Sequence, residues 1–228
     1  MSLSSPSIAF QLLKVSAITS TILLFCCGMP ICHGIYRGDT LGTVKGAAPF
    51  LVTALSTSFI LQYGILKNDK VVVVVNVVGA TLQLSYLIFY YAFTKGRMEK
   101  RRMRHIMMGE ALFFALVEYL IHFGELLHPE SFLGTICVIL NVSSIASPLA
   151  SLKEVIGSKD SSSLPLPLCS ANFFVSLQWF IYGYIIGDHI IYTPNMLGVL
   201  LGMFQLTLIR IYPSKEISSS ESKSSLII

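Results

Sequence analysis

The chain has 228 residues, of which 54% are hydrophobic and only 12% are charged, about half the charged share of a soluble domain. This composition excludes a soluble globular domain and predicts an integral membrane protein. The formal net charge is +4, but segment 95–104 alone carries +5, which excludes a basic surface spread out for nucleic acid.

Apolar stretches of membrane-spanning length recur along the whole chain, since a helix needs about 20 apolar residues to cross a core of about 30 Å. They predict seven transmembrane helices, at residues 13–35, 47–66, 71–93, 106–122, 132–152, 165–186 and 190–212. The connections between spans 2 and 3 and between spans 6 and 7 are short enough to force antiparallel hairpins. The first run lacks a basic n-region and an Ala-x-Ala exit, so we expect it to remain as a transmembrane helix.

Part of the sequence occurs twice, at a spacing of 119 residues. The repeated residues are Tyr63-Gly64, Asp69, Asn76 and Gly79, which return as Tyr182-Gly183, Asp188, Asn195 and Gly198. Pro30 and Pro148 extend the register at a spacing of 118. The repeat predicts two parallel three-helix bundles joined by an inversion linker helix, a 3+1+3 arrangement.

This arrangement gives the domain boundaries and the orientation. The first repeat is expected at 8–93, a basic cytosolic loop and linker helix 4 at 94–128, the second repeat at 129–212, and a disordered cytosolic tail at 213–228. Lysine and arginine collect on the cytosolic side of membrane proteins, which places the N-terminus outside and the C-terminus in the cytosol.

Two asparagines in the repeated stretch are candidates for a binding site. Asn76 and Asn195 each follow an aspartate by seven residues, roughly 10 Å down a helix and near mid-membrane depth. Their carboxamides offer donors and an acceptor, which match the hydroxyls of a neutral polyol, although a buried asparagine can also join two helices. Trp179, the only tryptophan, offers an indole face to a pyranose ring. Ile60 holds the equivalent position in the first copy, which predicts one aromatic and one aliphatic wall.

Prolines and hairpin residues are candidates for moving parts. A proline removes a helical hydrogen bond and kinks the helix, so a symmetric set predicts hinges. The hinge candidates are Pro30, Pro49, Pro148, Pro165 and Pro167. A tyrosine hydroxyl can donate to an aspartate carboxylate at the outer ends of the spans, which predicts an outer gate; the alternatives are interfacial tyrosines and solvated aspartates. The gate candidates are Tyr63, Tyr182, Asp69 and Asp188.

The fourth span has no counterpart in either copy and carries Glu110, Glu118 and His122. Ionisable residues inside a membrane indicate either helix packing or a proton relay, and both remain open for the glutamates. No catalytic motif is visible, and the five cysteines lack CxxC spacing. We therefore expect no enzyme, no cofactor and no metal site.

These residues together resemble the SWEET sugar transporters, over about Ile8 to Tyr212. The matching motifs are Met29-Pro30, Pro49, Tyr63-Gly64, Asn76-x-x-Gly79, Ser147-Pro148-Leu149, Val155-Ile156 with Lys159, Trp179-x-x-Tyr182-Gly183, Asp188 and Pro194-Asn195-x-x-Gly198. The parallel-repeat architecture is a known feature of that family. The resemblance implies alternating access and facilitated diffusion of mono- or disaccharides without ion coupling.

The resemblance also implies roles for single residues. The pocket asparagines of the family fall on Asn76 and Asn195, and its pocket tryptophan on Trp179. Its proline hinges fall on Pro30, Pro49, Pro148 and either Pro165 or Pro167. Ile60 departs from the aromatic residue of many animal members, which leaves substrate size open.

The function expected is therefore a bidirectional sugar uniporter. Its expected partners are a neutral sugar such as glucose and membrane lipid, with no nucleic acid, and a homo-oligomer is left open. The expected location is the plasma membrane, with the Golgi or another endomembrane as the alternative. A proton-coupled amino-acid carrier of the related PQ-loop type would need Glu118 as its acid, and a seven-helix receptor would not predict an internal repeat.

Overall fold

A computed structural model describes residues 7–38, 44–144 and 146–214. Every regular element in these ranges is an α-helix, and seven stretches are long and apolar enough to cross a membrane. The helices are α1 Ile8–Phe25, α2 Gly28–Arg37, α3 Val44–Leu66, α4 Lys70–Phe93, α5 Arg97–Phe123, α6 Pro129–Ser144, α7 Ala146–Ser158, α8 Leu166–Ile186 and α9 His189–Ile211. The predicted all-α membrane protein with seven spans is confirmed. Residues 215–228 of the expected tail lie outside the described residues.

The first and fifth spans are each built from two helices that meet two residues before a proline. The boundaries are Phe25 and Gly28 before Pro30, and Ser144 and Ala146 before Pro148. Proline has no N–H to donate to the carbonyl four residues earlier, and its ring crowds that carbonyl. In the first span the carbonyl of Cys26 instead accepts the N–H of Met29, three residues later, at 3.0 Å.

The basic segment forms the beginning of the fourth span, which corrects one expectation. The sequence predicts a loop at 94–104, whereas α5 already begins at Arg97 and only residues 94–96 connect it to α4. Arginine, lysine, methionine and glutamate are good helix formers, so the helix continues beyond its apolar part. Glu99 and Arg102 pair at 3.5 Å within its first turns. The cations therefore mark one end of this span without forming a loop.

The described helices group into two compact units. One holds residues 14–140, and the other holds 141–214 together with 7–13. In the first unit α3 packs along α4, α2 contacts α4, and α5 contacts α3. In the second unit α8 packs along α9, and α7 contacts α9. The α3–α4 and α2–α4 contacts thus recur as α8–α9 and α7–α9, as expected for two copies of one motif.

The two hairpins of the repeat share one turn structure. In both hairpins the residue just before the aspartate has a left-handed conformation, with φ 54° at Asn68 and φ 71° at Gly187. These two residues are 119 positions apart. The N–H of the following aspartate then donates to the carbonyl of the repeated glycine, at 2.9 Å in each copy. This is the Schellman pattern, which satisfies carbonyls at the end of a helix. Glycine and asparagine are the residues that adopt this conformation most readily.

The repeated aspartates begin the next helix of each hairpin. Asp69 Oδ1 accepts the N–H groups of Val71 and Val72, at 2.9 and 3.2 Å. Asp188 Oδ1 accepts the N–H of Ile190 at 3.0 Å. An aspartate at this position satisfies N–H groups that have no partner inside the helix. The short Gly-to-Asp segment therefore ends one helix and begins the next.

Hydrophobic side chains hold the opposite end of each unit together. In the first unit this core includes Phe50, Tyr86 and Tyr90, and in the second Leu152, Cys169 and Leu208. Cys169 lies 119 positions after Phe50, so the two cores occupy the same end of the repeated motif. Each unit is thus fixed by a polar turn at one end and by an apolar cluster at the other.

A glycine in each hairpin permits close approach of the two helices. A methyl group on Gly64 would lie 2.8 Å from Val72 Cγ1, and one on Gly183 would lie 2.8 Å from the backbone nitrogen of Tyr192. The backbone of α9 cannot rotate away as a side chain can. The second hairpin therefore tolerates a larger residue less well than the first.

We expect Gly183→Ala to lower the melting temperature of the detergent-purified protein by several degrees. Overpacking costs about 1–3 kcal/mol, which the better helix propensity of alanine, worth about 1 kcal/mol, offsets only in part. Gly157→Ala is the matched control, because a methyl group there meets nothing within 4 Å. Thermal unfolding of both variants measures the difference. Equal melting temperatures would contradict a tight contact at Gly183.

Candidate functional site

Asn76 and Asn195 have the same local geometry in the two units. The Nδ2 of Asn76 donates to the carbonyl of Val72 at 2.8 Å, and that of Asn195 donates to the carbonyl of Ile191 at 2.7 Å. Val72 and Ile191 are also 119 positions apart. These bonds orient each carboxamide and use one of its two N–H groups. The Oδ1 oxygens and the second N–H groups form no other hydrogen bond among the described residues, so they can serve a ligand.

Both asparagines lie about midway between the capped ends and the centres of their helices. Each is the seventh residue of its helix, about 9 Å from the first. Helices α4 and α9 have 24 and 23 residues, or roughly 35 Å. Each asparagine is therefore about 8 Å from the midpoint of its helix, on the side of the cap. Asn76 is buried at 6% exposure, whereas Asn195 is half-buried.

A small side chain faces a glycine one turn beyond each asparagine. A methyl group on Gly79 would lie 3.1 Å from Thr57 Cγ2 and only 2.5 Å from the ring of Phe25, and one on Gly198 would lie 2.6 Å from Ser176 Oγ. Thr57 and Ser176 are themselves 119 positions apart. The same close contact thus joins α3 to α4 and α8 to α9 beside each asparagine. We call Asn76, Ile60, Thr57 and Gly79 the first half-site, and Asn195, Trp179, Ser176 and Gly198 the second half-site.

The second half-site adjoins an aromatic cluster. Trp179 is 8% exposed and meets Tyr182 edge to face, with ring centroids 5.5 Å apart and planes at 86°. Phe10, near the start of α1, stacks on the other side of this cluster against Tyr182, at 5.8 Å and 9°. These contacts limit the orientation of the indole. The corresponding position in the first half-site, Ile60, is partly buried and aliphatic, as expected from sequence.

The gate candidates lie at the hairpin ends as predicted. Tyr63 and Tyr182 are each only 3% exposed, so they are not interfacial residues that face lipid. Asp69 and Asp188 cap α4 and α9 and are partly buried. Pairing between a tyrosine and an aspartate remains a prediction.

The prolines lie at three kinds of position. Pro30 and Pro148 follow the beginnings of α2 and α7, Pro49 lies inside α3, and Pro165 and Pro167 begin α8. At the beginning of a helix a proline interrupts no hydrogen bond, because the first N–H groups have no partner there. Pro49 therefore interrupts the hydrogen bonds of α3, whereas Pro30 and Pro148 lie where the two helices of one span meet, and Pro165 and Pro167 alter only how the chain enters α8.

Glu118 joins α5 to α3 within the first unit. Gln62 Nε2 of α3 donates to Glu118 Oε2, and the second carboxylate oxygen is buried with no hydrogen bond among the described residues. His122 Nδ1 lies 3.7 Å from Glu118 Oε2 and 2.9 Å from its carbonyl oxygen. These contacts favour the packing role for Glu118 over the proton relay. Gln62 has no counterpart in the repeat and could not be recognised from sequence.

Sequence reasoning also missed two residues of the candidate half-sites and one of the aromatic cluster beside them. Thr57 and Ser176 follow the repeat spacing, so extending the register to small hydroxyl residues would have found them. Phe10 has no such signal, because its counterpart 118 positions later is His128.

A family model described as "Sugar efflux transporter for intercellular exchange" matches this chain twice, at residues 11–98 and 131–217. The two matches begin 120 residues apart and end 119 residues apart, so each covers one copy of the repeat. Sugar transporter SWEET1 of Drosophila pseudoobscura pseudoobscura is 38% identical over 216 residues, 93% of each chain. Sugar transporter SWEET1 of Caenorhabditis elegans is 38% identical over 213 residues, 92% of this chain and 68% of that one.

The fold agrees with a solved structure. A eukaryotic SWEET transporter superposes with a TM-score of 0.79 at 25% identity, over 90% of this chain and 98% of the other. The sequence matches span both copies of the repeat, and the structural match covers nearly the whole helical part. The chain therefore belongs to the SWEET family of sugar transporters.

Proposed function

We propose that this protein carries neutral sugars across a membrane in either direction by facilitated diffusion. The observation that carries the proposal is the pair of equivalent asparagines, each held by a bond to its own helix and each with an acceptor and a donor left for a ligand. Relatives named as sugar transporters support the same activity. These relatives are transporters and not enzymes, in agreement with the lack of a catalytic motif in the sequence.

Asn76 and Asn195 are each proposed to hydrogen-bond to hydroxyls of the transported sugar. Trp179 supplies an apolar face for the ring, and Ile60 supplies a smaller wall. Pro30, Pro49, Pro148 and either Pro165 or Pro167 are proposed as hinges for alternating access. Neutral hydrogen bonds and one stacking face must compensate for dehydration of several hydroxyls, so the affinity is expected to be weak.

The side chains of both half-sites carry no charge. Moving a neutral sugar past uncharged groups transfers no net charge, so flux should not depend on membrane potential. Counterflow of labelled glucose in proteoliposomes tests the proposal. We expect unlabelled glucose inside the vesicles to accelerate uptake of label, with the same rate at zero and at −100 mV. Voltage-driven accumulation or an absence of counterflow would overturn it.

A proton-coupled amino-acid carrier of the PQ-loop type is the alternative, and the buried Glu118 is the observation in its favour. Such a carrier should accumulate amino acids under a pH gradient and lose this activity in Glu118→Gln. The bond between Glu118 and Gln62 instead supports a structural role, because glutamine can replace the carboxylate there. Sugar counterflow that persists in Glu118→Gln without a pH gradient would decide for the uniporter.

The domain division and the orientation complete the proposal. We place the two repeats at 8–93 and 129–212, with 94–128 as the linker between them; the recurring helix contacts support this division. The basic beginning of α5 supports a cytosolic C-terminus and an N-terminus on the opposite side. The plasma membrane is the proposed location, with the Golgi or another endomembrane as the alternative, and glucose is the proposed test substrate.

A further inference from the structure

An apolar groove opens on the surface of the second unit, between α6, α7 and α9. Its volume is about 480 Å³, and its lining includes Val142, Leu149, Leu152, Leu197, Leu200 and Phe204. Sites for small ligands have volumes of roughly 300–1,000 Å³, so this groove is large enough to hold part of an organic molecule. Its purely hydrophobic lining indicates a hydrocarbon ligand.

The groove is separate from the second half-site. Phe204 lies nine residues after Asn195 on α9, which turns it roughly 180° around the helix. Leu149, Leu200 and Phe204 are 53%, 55% and 48% exposed. Exposed leucine and phenylalanine side chains on a membrane-spanning helix face the lipid and not a sugar pathway.

A lysine follows the groove-lining residues of α7 in sequence. Lys153 follows Leu149 by four residues, so it lies on the same face of α7, one turn nearer the C-terminal end of the helix. It is exposed and forms no ion pair among the described residues. Glu154 is its neighbour in sequence but points about 100° away around the helix. A lysine at a helix end can extend its amine to the membrane interface, where phosphate groups lie.

The first copy of the repeat lacks these features. Thr81 and Ser85 hold the positions of Leu200 and Phe204, and Ile35, which is buried, holds the position of Lys153. Two hydroxyl side chains and the missing cation make that surface less suited to a charged lipid. The combination of an apolar groove and a lysine is therefore particular to the second copy.

We propose that this groove binds an acyl chain of an anionic phospholipid whose phosphate contacts Lys153. The apolar lining selects the hydrocarbon chain, and the unpaired cation selects the headgroup. In the proposed orientation the C-terminal end of α7 faces the cytosolic leaflet, which carries the anionic lipids. The lipid site does not depend on the transported substrate, so it can be tested separately from sugar transport.

Native mass spectrometry of the detergent-purified full-length protein tests this site. The probes are phosphatidylglycerol and phosphatidylcholine with identical acyl chains, added at equal concentration. We expect preferential retention of one phosphatidylglycerol, and we expect Lys153→Ala to reduce that preference about fivefold, the effect of one lysine near a membrane surface. Leu200→Trp should fill the groove and reduce retention of both lipids several-fold.

The matched control is Thr81→Trp, which places the same bulky residue at the equivalent position of the first copy. It should retain lipid as the unmodified protein does. The proposal is overturned if Lys153→Ala keeps the full preference, or if Thr81→Trp and Leu200→Trp lose lipid equally. It is also overturned if Leu200→Trp keeps its lipid but dissociates a dimer, since a second copy of the chain would then occupy the groove.

Discussion

Replacing Asn195 by alanine should reduce glucose counterflow by roughly five- to 150-fold, because a sugar hydroxyl left without its partner costs about 1–3 kcal/mol. The substitution removes the Oδ1 acceptor and the N–H that the bond to Ile191 leaves available. It also removes that bond itself, but this bond lies within one helix and contributes little to packing. The initial rate of labelled glucose exchange in proteoliposomes measures the effect.

Asn172→Ala is the control for this experiment, because Asn172 is an exposed asparagine of α8, outside both half-sites. It should exchange glucose at the unmodified rate. Asn76→Ala is expected to behave like Asn195→Ala, since its carboxamide has the same geometry. Normal exchange by correctly folded Asn195→Ala would show that the asparagines join helices and do not bind sugar.

The two half-sites are equivalent in backbone and unequal in side chains. Their turns, their capping aspartates and the glycine contacts beside the asparagines all repeat at one spacing. Trp179 occurs only in the second, whereas the first has Ile60 at that position; Tyr182, which contacts Trp179, is repeated as Tyr63. Duplication thus fixes where the proposed ligand-binding groups lie, and later substitution sets what each half-site can contact. Binding energy from stacking should come mainly from the second half-site.

Features that depend on local sequence could be predicted, because hydropathy and turn chemistry act over a few residues. The seven spans follow from apolar length, and the hairpins follow from short polar connections. The exact beginning of α5 could not be predicted, because the charged residues near Arg97 favour a helix in water as well as a loop at a membrane surface.

Features that depend on contacts between distant residues were beyond the sequence. Gln62 and Glu118 are 56 residues apart, and nothing in either local pattern identifies the other as its partner. The stack of Phe10 on Tyr182 has the same character. The equivalence of the two asparagines was predictable for a different reason: duplication made a distant relation visible as a repeated spacing. Where no repeat exists, the packing partners of a residue can be identified only from the three-dimensional structure.

Alanine at Pro30 should raise the melting temperature and slow sugar exchange together. Proline is about 3 kcal/mol less favourable than alanine inside a helix, and its missing N–H lies where α1 ends and α2 begins. With alanine, the Cys26 carbonyl can accept the usual bond from residue 30 in place of the bond from Met29. A continuous stiff helix would oppose the bending that alternating access requires, and we expect exchange to fall about tenfold, the effect of raising a barrier by about 1.4 kcal/mol.

Pro148→Ala should act in the same way, because α6 and α7 meet at the equivalent position. Pro129→Ala is the control, since Pro129 is the first residue of α6, where proline costs nothing. Thermal unfolding and initial exchange rates are measured on the same protein preparations. Variants that gain stability without losing rate would show that these prolines terminate helices and do not act as hinges. Opposite changes in the two quantities, absent from the control, would identify the proline breaks as the parts of the fold that bend during transport.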